Sequence, residues 1–517
     1  MLRHISNLTQ KLPTRTYAAV APAVKYQNST KSKKIPLIEC KNAKLNVPFG
    51  KPLIEAKFGA IPLASKGWLH RRSKGDYFIV NTSMNEDEIL SRMQNINDLQ
   101  GTLQLSDDLI ENLKSELEIT QLTKIQTDAI PIIRDSNHAL IAAETGCGKT
   151  LAYLLPIVQQ ILEQKYRFEE QKPNTPLVLI LSPGRELALQ ISDVAQKLCK
   201  STGLKVKCIL GGNTKQKMLN PEFEDVDILV GSIGAISKLV TTGIYRMEKV
   251  RHVVLDEADT LLDDSFSDKL CHFLKRFPFH MNHIQDNKVV GSQMILASAT
   301  MPTNTNELLQ NIIDTSTLHQ VVSPNLHRLM PHITHKFLRM NKSDRPANLL
   351  GMVKSELSKK RPVIVFGNKS STSDYVSMFL NNNGVNCINL NGDMLMKIRI
   401  GRFEQFQQGM VDVLSTTDVG SRGLDTTRAR QVINFDFPLH VSDYIHRCGR
   451  IGRVGSQQRC LITNFVSSQR EVGLVQKIEH AARTGSLLPN VNANIRNLIQ
   501  SRIVKEMKKY GVDEPAF

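Results

Sequence analysis

The chain has 517 residues, 41% of them hydrophobic and 22% charged, and a formal net charge of +17. That length exceeds what one hydrophobic core organises, so two large domains with flanking segments are expected. The charge calls for a polyanionic partner, of which nucleic acid is the commonest; no apolar run approaches the roughly 18 residues of a membrane-crossing helix, so no membrane span is expected.

The charge is concentrated at the start of the chain. Residues 1–75 hold 15 Lys or Arg against only Glu39 and Glu55, a net of +13, which leaves +4 for everything that follows. The first 34 residues contain no acid and place Arg3, Lys11, Arg15, Lys25, Lys31, Lys33 and Lys34 among Ser, Thr and Ala. This is the composition of a mitochondrial presequence. Leu2, Ile5, Leu8 and Leu12 fall at helical spacing, and Arg15-Thr16-Tyr17-Ala18 resembles a matrix-processing site. Residues 1–35 are therefore read as a presequence or a disordered basic segment, with the mitochondrial matrix as destination. A basic arm that holds RNA is the alternative, and both can hold; a second, nuclear pool is compatible with the same composition. Residues 36–98 form a basic N-terminal extension, in which Trp68 reads on its own as an anchor onto the first domain.

From about residue 137, short apolar runs alternate with longer amphipathic stretches, the pattern of parallel sheets built from βαβ units. Strands are expected at 138–142, 177–181, 205–210, 227–230, 252–255 and 293–297, then at 362–366, 387–390, 411–415, 431–434 and 461–465. The domains implied are 99–322 and 347–485, joined by a linker at 323–346 and followed by a C-terminal tail at 486–517. Ligands are preferentially bound in the cleft between such domains. The eight cysteines, Cys40, Cys147, Cys199, Cys208, Cys271, Cys387, Cys448 and Cys460, lack the close pairs of a zinc site, so reduced thiols are expected.

The first strand runs into Ala143-Glu144-Thr145-Gly146-Cys147-Gly148-Lys149-Thr150 and then into an apolar helical stretch. This is a phosphate-binding loop in its proper context: the glycines let backbone N–H groups curl around phosphates, Lys149 reaches the β and γ oxygens, and the Thr150 hydroxyl ligates magnesium. Cys147 lies beside Lys149, a setting that can lower a thiol pKa, although a small residue where small residues fit is the simpler account. Asp256-Glu257-Ala258-Asp259 follows the apolar strand 252–255. A carboxylate at a strand's C-terminal end is presented to ligand; Asp256 can hold magnesium through water while Glu257 orients and deprotonates the attacking water. Alone, this tetrapeptide is equally an acidic helix start that satisfies the dipole.

Those four residues spell the name of the DEAD-box family of ATP-dependent RNA helicases, and the resemblance spans roughly residues 100–485 with motifs in the family's order. It implies an α/β fold of two tandem recA-like domains, each a parallel sheet flanked by helices, that close on RNA when ATP is bound. It implies ATP and Mg2+ as cofactors and an RNA-stimulated ATPase, acting as a monomer. Thr123 and Gln126, in Leu122-Thr123-Lys124-Ile125-Gln126, resemble the motif that reads adenine. Pro183, Gly184 and Arg185, with Gly212 and Gly234, resemble the RNA-backbone motifs of the first domain; Phe366, Arg399 and Thr417 resemble those of the second. Ser298-Ala299-Thr300 is similar to the segment that links nucleotide state to strand separation, acting with Asp259 and His446. Gly423 and Asp425, in Ser421-Arg422-Gly423-Leu424-Asp425, resemble the ribose-contacting motif. His446-Arg447-Cys448-Gly449-Arg450-Ile451-Gly452-Arg453 resembles the motif whose arginines, here Arg450 and Arg453, stabilise transferring phosphate. Three arginines spaced three apart offer planar cations for phosphate oxygens, and such a finger supplied on closure is worth roughly 10³ or more in rate.

The sequence departs from the family pattern at the adenine pocket, where no Phe, Tyr or Trp occurs between Ile79 and Ala152 and Leu99 or Leu103 has to substitute for a stacking aromatic. Met396 stands three before Arg399 where the family has a glutamine, and Gly231-Ser232-Ile233-Gly234 lacks the customary arginine. Weaker intrinsic RNA affinity is expected, compensated by the basic N-terminal segment or a partner. The stretches 61–68, 326–332 and 474–479 are similar to the animal mitochondrial branch of the family associated with large mitochondrial ribosomal subunit assembly. That resemblance implies the large mitochondrial ribosomal RNA and pre-ribosomal particles as partners. An ATP-gated RNA clamp or assembly platform with slow or dispensable hydrolysis is the alternative; a DNA translocase on the same core is disfavoured by the motif set.

Overall fold

The computed structural model describes residues 37–49, 61–82, 93–165, 172–212, 214–262, 267–279, 284–285, 288–289, 291–301, 305–418, 426, 428–453, 459–489 and 491. All eleven expected strands form, each within two residues of its expected ends. They divide between two sheets, one per lobe.

The first lobe carries a seven-stranded, all-parallel sheet in the spatial order His319–Val322, Ala139–Ala142, Gln293–Ser298, His252–Asp256, Val178–Ser182, Ile228–Ser232, Val206–Ile209. Helices cover both faces, so the central strands are buried throughout and read as continuous apolar runs. The edge strand His319–Val322 escaped the sequence reading because only Val321 of its four residues is buried.

The second lobe departs from expectation in two places. The stretch 323–346, expected to be all linker, contains the seven-residue strand Ile333–Arg339, which pairs in parallel with Cys460–Val466 along its whole length. Only residues 323–332 connect the two sheets. The strand was masked by His335, Lys336 and Arg339, yet its buried positions alternate, as a strand with one well-covered face requires.

The second correction concerns the extension, which packs on the second lobe and not the first. Tyr77–Val80 adds antiparallel to the outer side of Ile333–Arg339, pairing Phe78 with Phe337, and Ile38–Cys40 adds antiparallel to Tyr77–Val80. The sheet thereby reaches eight strands. Trp68 is fully buried, 5.6 Å from the Phe78 ring, which in turn stacks on Phe337 at 4.5 Å. Burying aromatics of this size is worth about 3–5 kcal/mol each. The Trp68 carbonyl accepts from Arg339 Nε at 2.9 Å.

Beneath Trp68 lies a buried acceptor. Glu479, fully inaccessible on the helix Gln469–Thr484, accepts from the Ala64 and Ser65 backbone N–H groups at 2.7 and 2.9 Å, from Ser65 Oγ at 2.5 Å and from Arg483 Nε at 2.7 Å. Arg483 also donates to the Leu45 carbonyl at 3.0 Å. The Glu479–Arg483 pair therefore holds two turns of the extension, the carboxylate at 64–65 and the guanidinium at Leu45. Among the described residues, no helix is long and apolar enough to cross a membrane.

Candidate ATP and RNA site

The two lobes meet at the C-terminal ends of their parallel strands, where α/β sheets present groups to ligand. Residues 143–148 follow the strand Ala139–Ala142 and precede the helix Lys149–Lys165. Gly146 and Gly148 have φ of +83° and +89°, a conformation that L side chains avoid, and this turns the loop so that its N–H groups can face an anion. The Lys149 ammonium donates to the Ala143 and Glu144 carbonyls at 2.7 and 2.9 Å. Glu144 Oε2 and Thr145 Oγ1 are buried with no hydrogen-bond partner among the described residues. Buried polar atoms without partners are costly, so their concentration in this loop fits a polar ligand.

Gln126 and Thr123 brace the loop from below. Thr123 Oγ1 donates to the Cys147 carbonyl at 2.9 Å, Gln126 Nε2 donates to the Gly148 carbonyl at 3.1 Å, and Gln126 Oε1 accepts from the Thr123 N–H at 2.8 Å. Gln126 is 3% exposed, with both ends of its amide engaged by the chain itself.

The acidic segment starts at the end of His252–Asp256. Asp256 Oδ2 accepts from Tyr153 OH at 2.8 Å and Oδ1 from the Glu257 N–H at 2.9 Å. Burial pushes the Asp256 carboxyl up to about 6, against the opposing pull of the Tyr153 hydrogen bond. Glu257 has φ +51°, left-handed backbone that is uncommon for a residue with a side chain and recurs at functional sites. Tyr153 lay outside the sequence reading because a tyrosine inside an apolar helix reads as core.

Asp259 Oδ2 accepts from the Thr300 N–H at 3.0 Å and Thr300 Oγ1 at 2.7 Å, while His446 Nε2 of the second lobe lies 3.7 Å away. Ser298 Oγ donates to the Thr300 carbonyl within the same turn. The four residues expected to couple the lobes are thus brought together.

The three arginines separate. Arg447, the penultimate residue of the helix Val441–Cys448, turns into the second lobe. It pairs with both Asp418 oxygens at 2.6 Å, donates to Asn434, Asn368 and the Asp436 carbonyl, and lies 5.0 Å over the Phe366 ring. It is structural and cannot serve phosphate. The helix ends at Gly449, so Arg450 and Arg453 leave it in other directions. Arg450 Nε donates to the His446 carbonyl at 3.1 Å. Arg453 lies against the phosphate-binding loop: a Cβ at Gly146 would come within 2.9 Å of Arg453 Cγ.

On the prospective RNA face, the helices Arg185–Leu198 and Ile233–Thr241 begin at the ends of the adjacent strands Val178–Ser182 and Ile228–Ser232. Two helix N-termini side by side suit successive phosphates. Gly184 caps the first, Gly234 is exposed in the first turn of the second, and Pro183 is partly exposed. The Arg185 guanidinium lies across Gly211 and Gly212. In the second lobe Phe366 is completely buried beneath Arg447, so its side chain cannot touch RNA; Thr417 is 6% exposed. Arg399 crosses to the first lobe and pairs with Glu186 at 2.7 Å, both side chains nearly buried. Gly423 and Asp425 lie outside the described residues.

This arrangement has close relatives. Residues 123–308 match the DEAD/DEAH box helicase family and residues 344–455 the helicase conserved C-terminal domain. The chain is 35% identical over 470 residues to the mouse protein named probable ATP-dependent RNA helicase DDX28, covering 89% of this chain and 86% of that protein; the human protein of the same name is 34% identical over the same shares. It belongs to the DEAD-box ATP-dependent RNA helicases. The solved structure of S. cerevisiae Dbp5 bound to RNA and ADP BeF3 has the same fold, with a TM-score of 0.59 at 22% identity over 79% of this chain and 98% of that one.

Two expectations for this helicase need correction. The Cys147 thiol is buried, and burial pushes it up to about 11 despite the Lys149 charge, so it is not an activated nucleophile. Leu103 is 4% exposed and packs in the first-lobe core, so it offers no face to adenine; the Leu99 side chain lies outside the described residues.

The Arg399–Glu186 pair joins the two lobes beside the prospective RNA face. Arg399 Nε is buried with no hydrogen-bond partner among the described residues, a donor left for an acceptor such as a phosphate oxygen. Arg399→Ala and Glu186→Ala are each expected to weaken ATP-dependent RNA binding about 10-fold. A double-mutant cycle read by RNA titration should return a coupling of about 1 kcal/mol, close to the whole of either single loss. Strict additivity of the two losses would show that the pair does not hold the closed form.

Proposed function

We propose that this helicase uses ATP-driven closure of its two lobes to bind and locally unwind RNA during assembly of the large mitochondrial ribosomal subunit, in the matrix and as a monomer. Its partners are the large mitochondrial ribosomal RNA and pre-ribosomal particles. The observation that carries the mechanism is the seating of Arg453, from the second lobe, on Gly146 of the phosphate-binding loop. The placement in mitochondria rests on the acid-free basic composition of residues 1–34 and on the resemblance to the animal mitochondrial branch across 61–68, 326–332 and 474–479. The likeness along nearly the whole chain to the mouse and human proteins named probable ATP-dependent RNA helicase DDX28 supports the ATP-driven action on RNA.

In this reading, residues 143–150 cradle the phosphates and Lys149 exchanges its two loop carbonyls for phosphate oxygens. Thr150, and Asp256 through water, would hold Mg2+, which would supply neutralisation of phosphate charge. The chain fits that ion. Asp256 keeps lone pairs beyond those used by Tyr153 and Glu257, and a nearby cation relieves the penalty that burial imposes on its charge. Glu257 orients and deprotonates the attacking water, while Arg450 and Arg453 stabilise the charge on the transferring group. Because neither lobe surrounds the γ-phosphate alone, ATP favours the closed state through the second-lobe arginines. Pro183, Gly184, Arg185, Gly212, Gly234, Arg399 and Thr417 then grip one strand by its backbone, and hydrolysis resets the clamp.

The test is RNA crosslinking and sequencing from mitochondria expressing Glu257→Gln, expected to bind ATP and remain closed. Peaks on the large ribosomal RNA that vanish when Lys149→Ala is added are the expected result. Peaks spread over messenger RNAs, or indifferent to Lys149→Ala, would refute the assembly role.

A further inference from the structure

We propose that His327, in the connection between the lobes, is a positioning residue that ties the Ser298-Ala299-Thr300 segment to the second lobe. The Met301 N–H, the first backbone donor after that segment, donates to His327 Nε2 at 3.0 Å. A donor in that position requires the unprotonated nitrogen, so the ring is neutral with its hydrogen on Nδ1. Burial, which holds the imidazole below its ordinary pKa, favours that form.

The other end of the residue is fixed to the second lobe. The His327 carbonyl accepts from the Leu488 N–H at 2.8 Å, and Leu488 belongs to the second-lobe core with Tyr444 and Ile478. The neighbouring Arg328 donates to the Gly485 carbonyl at the end of the helix Gln469–Thr484. His327 has φ +59°, left-handed backbone that is strained for a residue with a side chain and persists only where surroundings impose it. The imposing bonds are the ones just named. His327 and Ala299 line one cavity between the lobes together with Glu144, His335, Tyr444 and Leu488.

The consequence is mechanical. Asp259 holds Thr300 from within the first lobe, and His327 holds the next residue from the connection. If the lobes separate, the Met301 or the Leu488 bond must stretch, so the turn after Gln293–Ser298 responds to lobe position by a route that uses neither nucleotide nor RNA. The inference rests on reading Ser298–Thr300 as the coupling segment.

The experiment compares full-length wild type with His327→Ala, His327→Gln and His327→Asn, measuring basal and RNA-stimulated ATP hydrolysis, the KM for ATP, and duplex strands separated per ATP. His327→Ala is expected to leave basal hydrolysis and the KM within about 2-fold and to cut strands separated per ATP about 10-fold. His327→Gln should recover most of the loss, because its amide oxygen reaches the place of Nε2. His327→Asn should not, although asparagine tolerates the left-handed backbone best. Retained coupling in His327→Ala, or no difference between Gln and Asn, overturns the proposal. Ser298→Ala with Thr300→Ala is the control: if that pair fails to uncouple, the reading of the segment is at fault and not the role of His327.

Discussion

Gly449→Ala is expected to reduce RNA-stimulated ATP hydrolysis by two to three orders of magnitude while leaving each lobe folded. The backbone at Gly449 has φ −69°, which alanine adopts without strain, so conformational preference is not the cause. The cause is steric and lies between the lobes: a Cβ at Gly449 would fall inside the Thr145 side chain, nearest Oγ1 and Cβ. The second lobe can then no longer seat against the phosphate-binding loop, and Arg453 is held off Gly146. A displacement of about 1 Å at a reacting centre costs on the order of 10²-fold, and an arginine supplied on closure is worth 10³ or more. ATP binding to the first lobe should survive, because residues 143–150 are untouched. Stopped-flow nucleotide binding with lobe-to-lobe fluorescence transfer would separate the two steps. Thr145→Ala in the same chain should rescue only in part, since the Thr145 Cβ also obstructs. Normal turnover with normal closure in Gly449→Ala would mean that the lobes can meet in a different seating.

Glu479→Ala should be the most destabilising single change outside the cleft. It leaves Arg483, 3% exposed, without its carboxylate and strands the Ala64 and Ser65 N–H groups in the interior. Removing one partner of a buried ion pair costs about 3–5 kcal/mol, and unsatisfied buried donors add to that. For a lobe of this size, each kcal/mol lowers the melting temperature by about 2–4 °C, so a loss near 10 °C is expected. The damage should be directional. Residues 61–82 should become susceptible to protease before the rest of the chain, because Glu479 ties Ala64 and Ser65 to the second lobe. Lys477→Ala, exposed on the same helix, serves as the neutral control. An unchanged melting temperature and an intact extension in Glu479→Ala would show that Trp68 and the added strands suffice without the carboxylate.

The two changes bear on parts of the molecule that differ in how they are encoded. Gly449 lies in a motif whose spacing is visible in the chain, but the reason for a glycine there is a threonine some three hundred residues earlier. Glu479 looks, in sequence, like one more charge on a polar helix. Arg483, four residues on along the same helix, is a local partner, but nothing local marks the pair as buried; its partners at 64 and 65 arrive only when the extension folds across the sheet.

The sequence by itself determined the two parallel sheets, because continuous apolar runs between amphipathic stretches have few other solutions. It also determined the phosphate-binding loop, the acidic segment, and the segments that meet Asp259, since each is a short stretch whose chemistry depends on local backbone geometry. What only the tertiary structure decided were the matters of partnership across distance. It turned Arg447 and Phe366 into the second-lobe core while Arg453 reached the loop, made Ile333–Arg339 a strand, and sent Trp68 to the second lobe. It set Tyr153 on Asp256 and His327 on Met301. A periodic pattern records which face of an element is apolar, but not which distant surface will cover that face. Hydrogen bonds between residues far apart in the chain leave no period to read, and they form only after packing has chosen the neighbours.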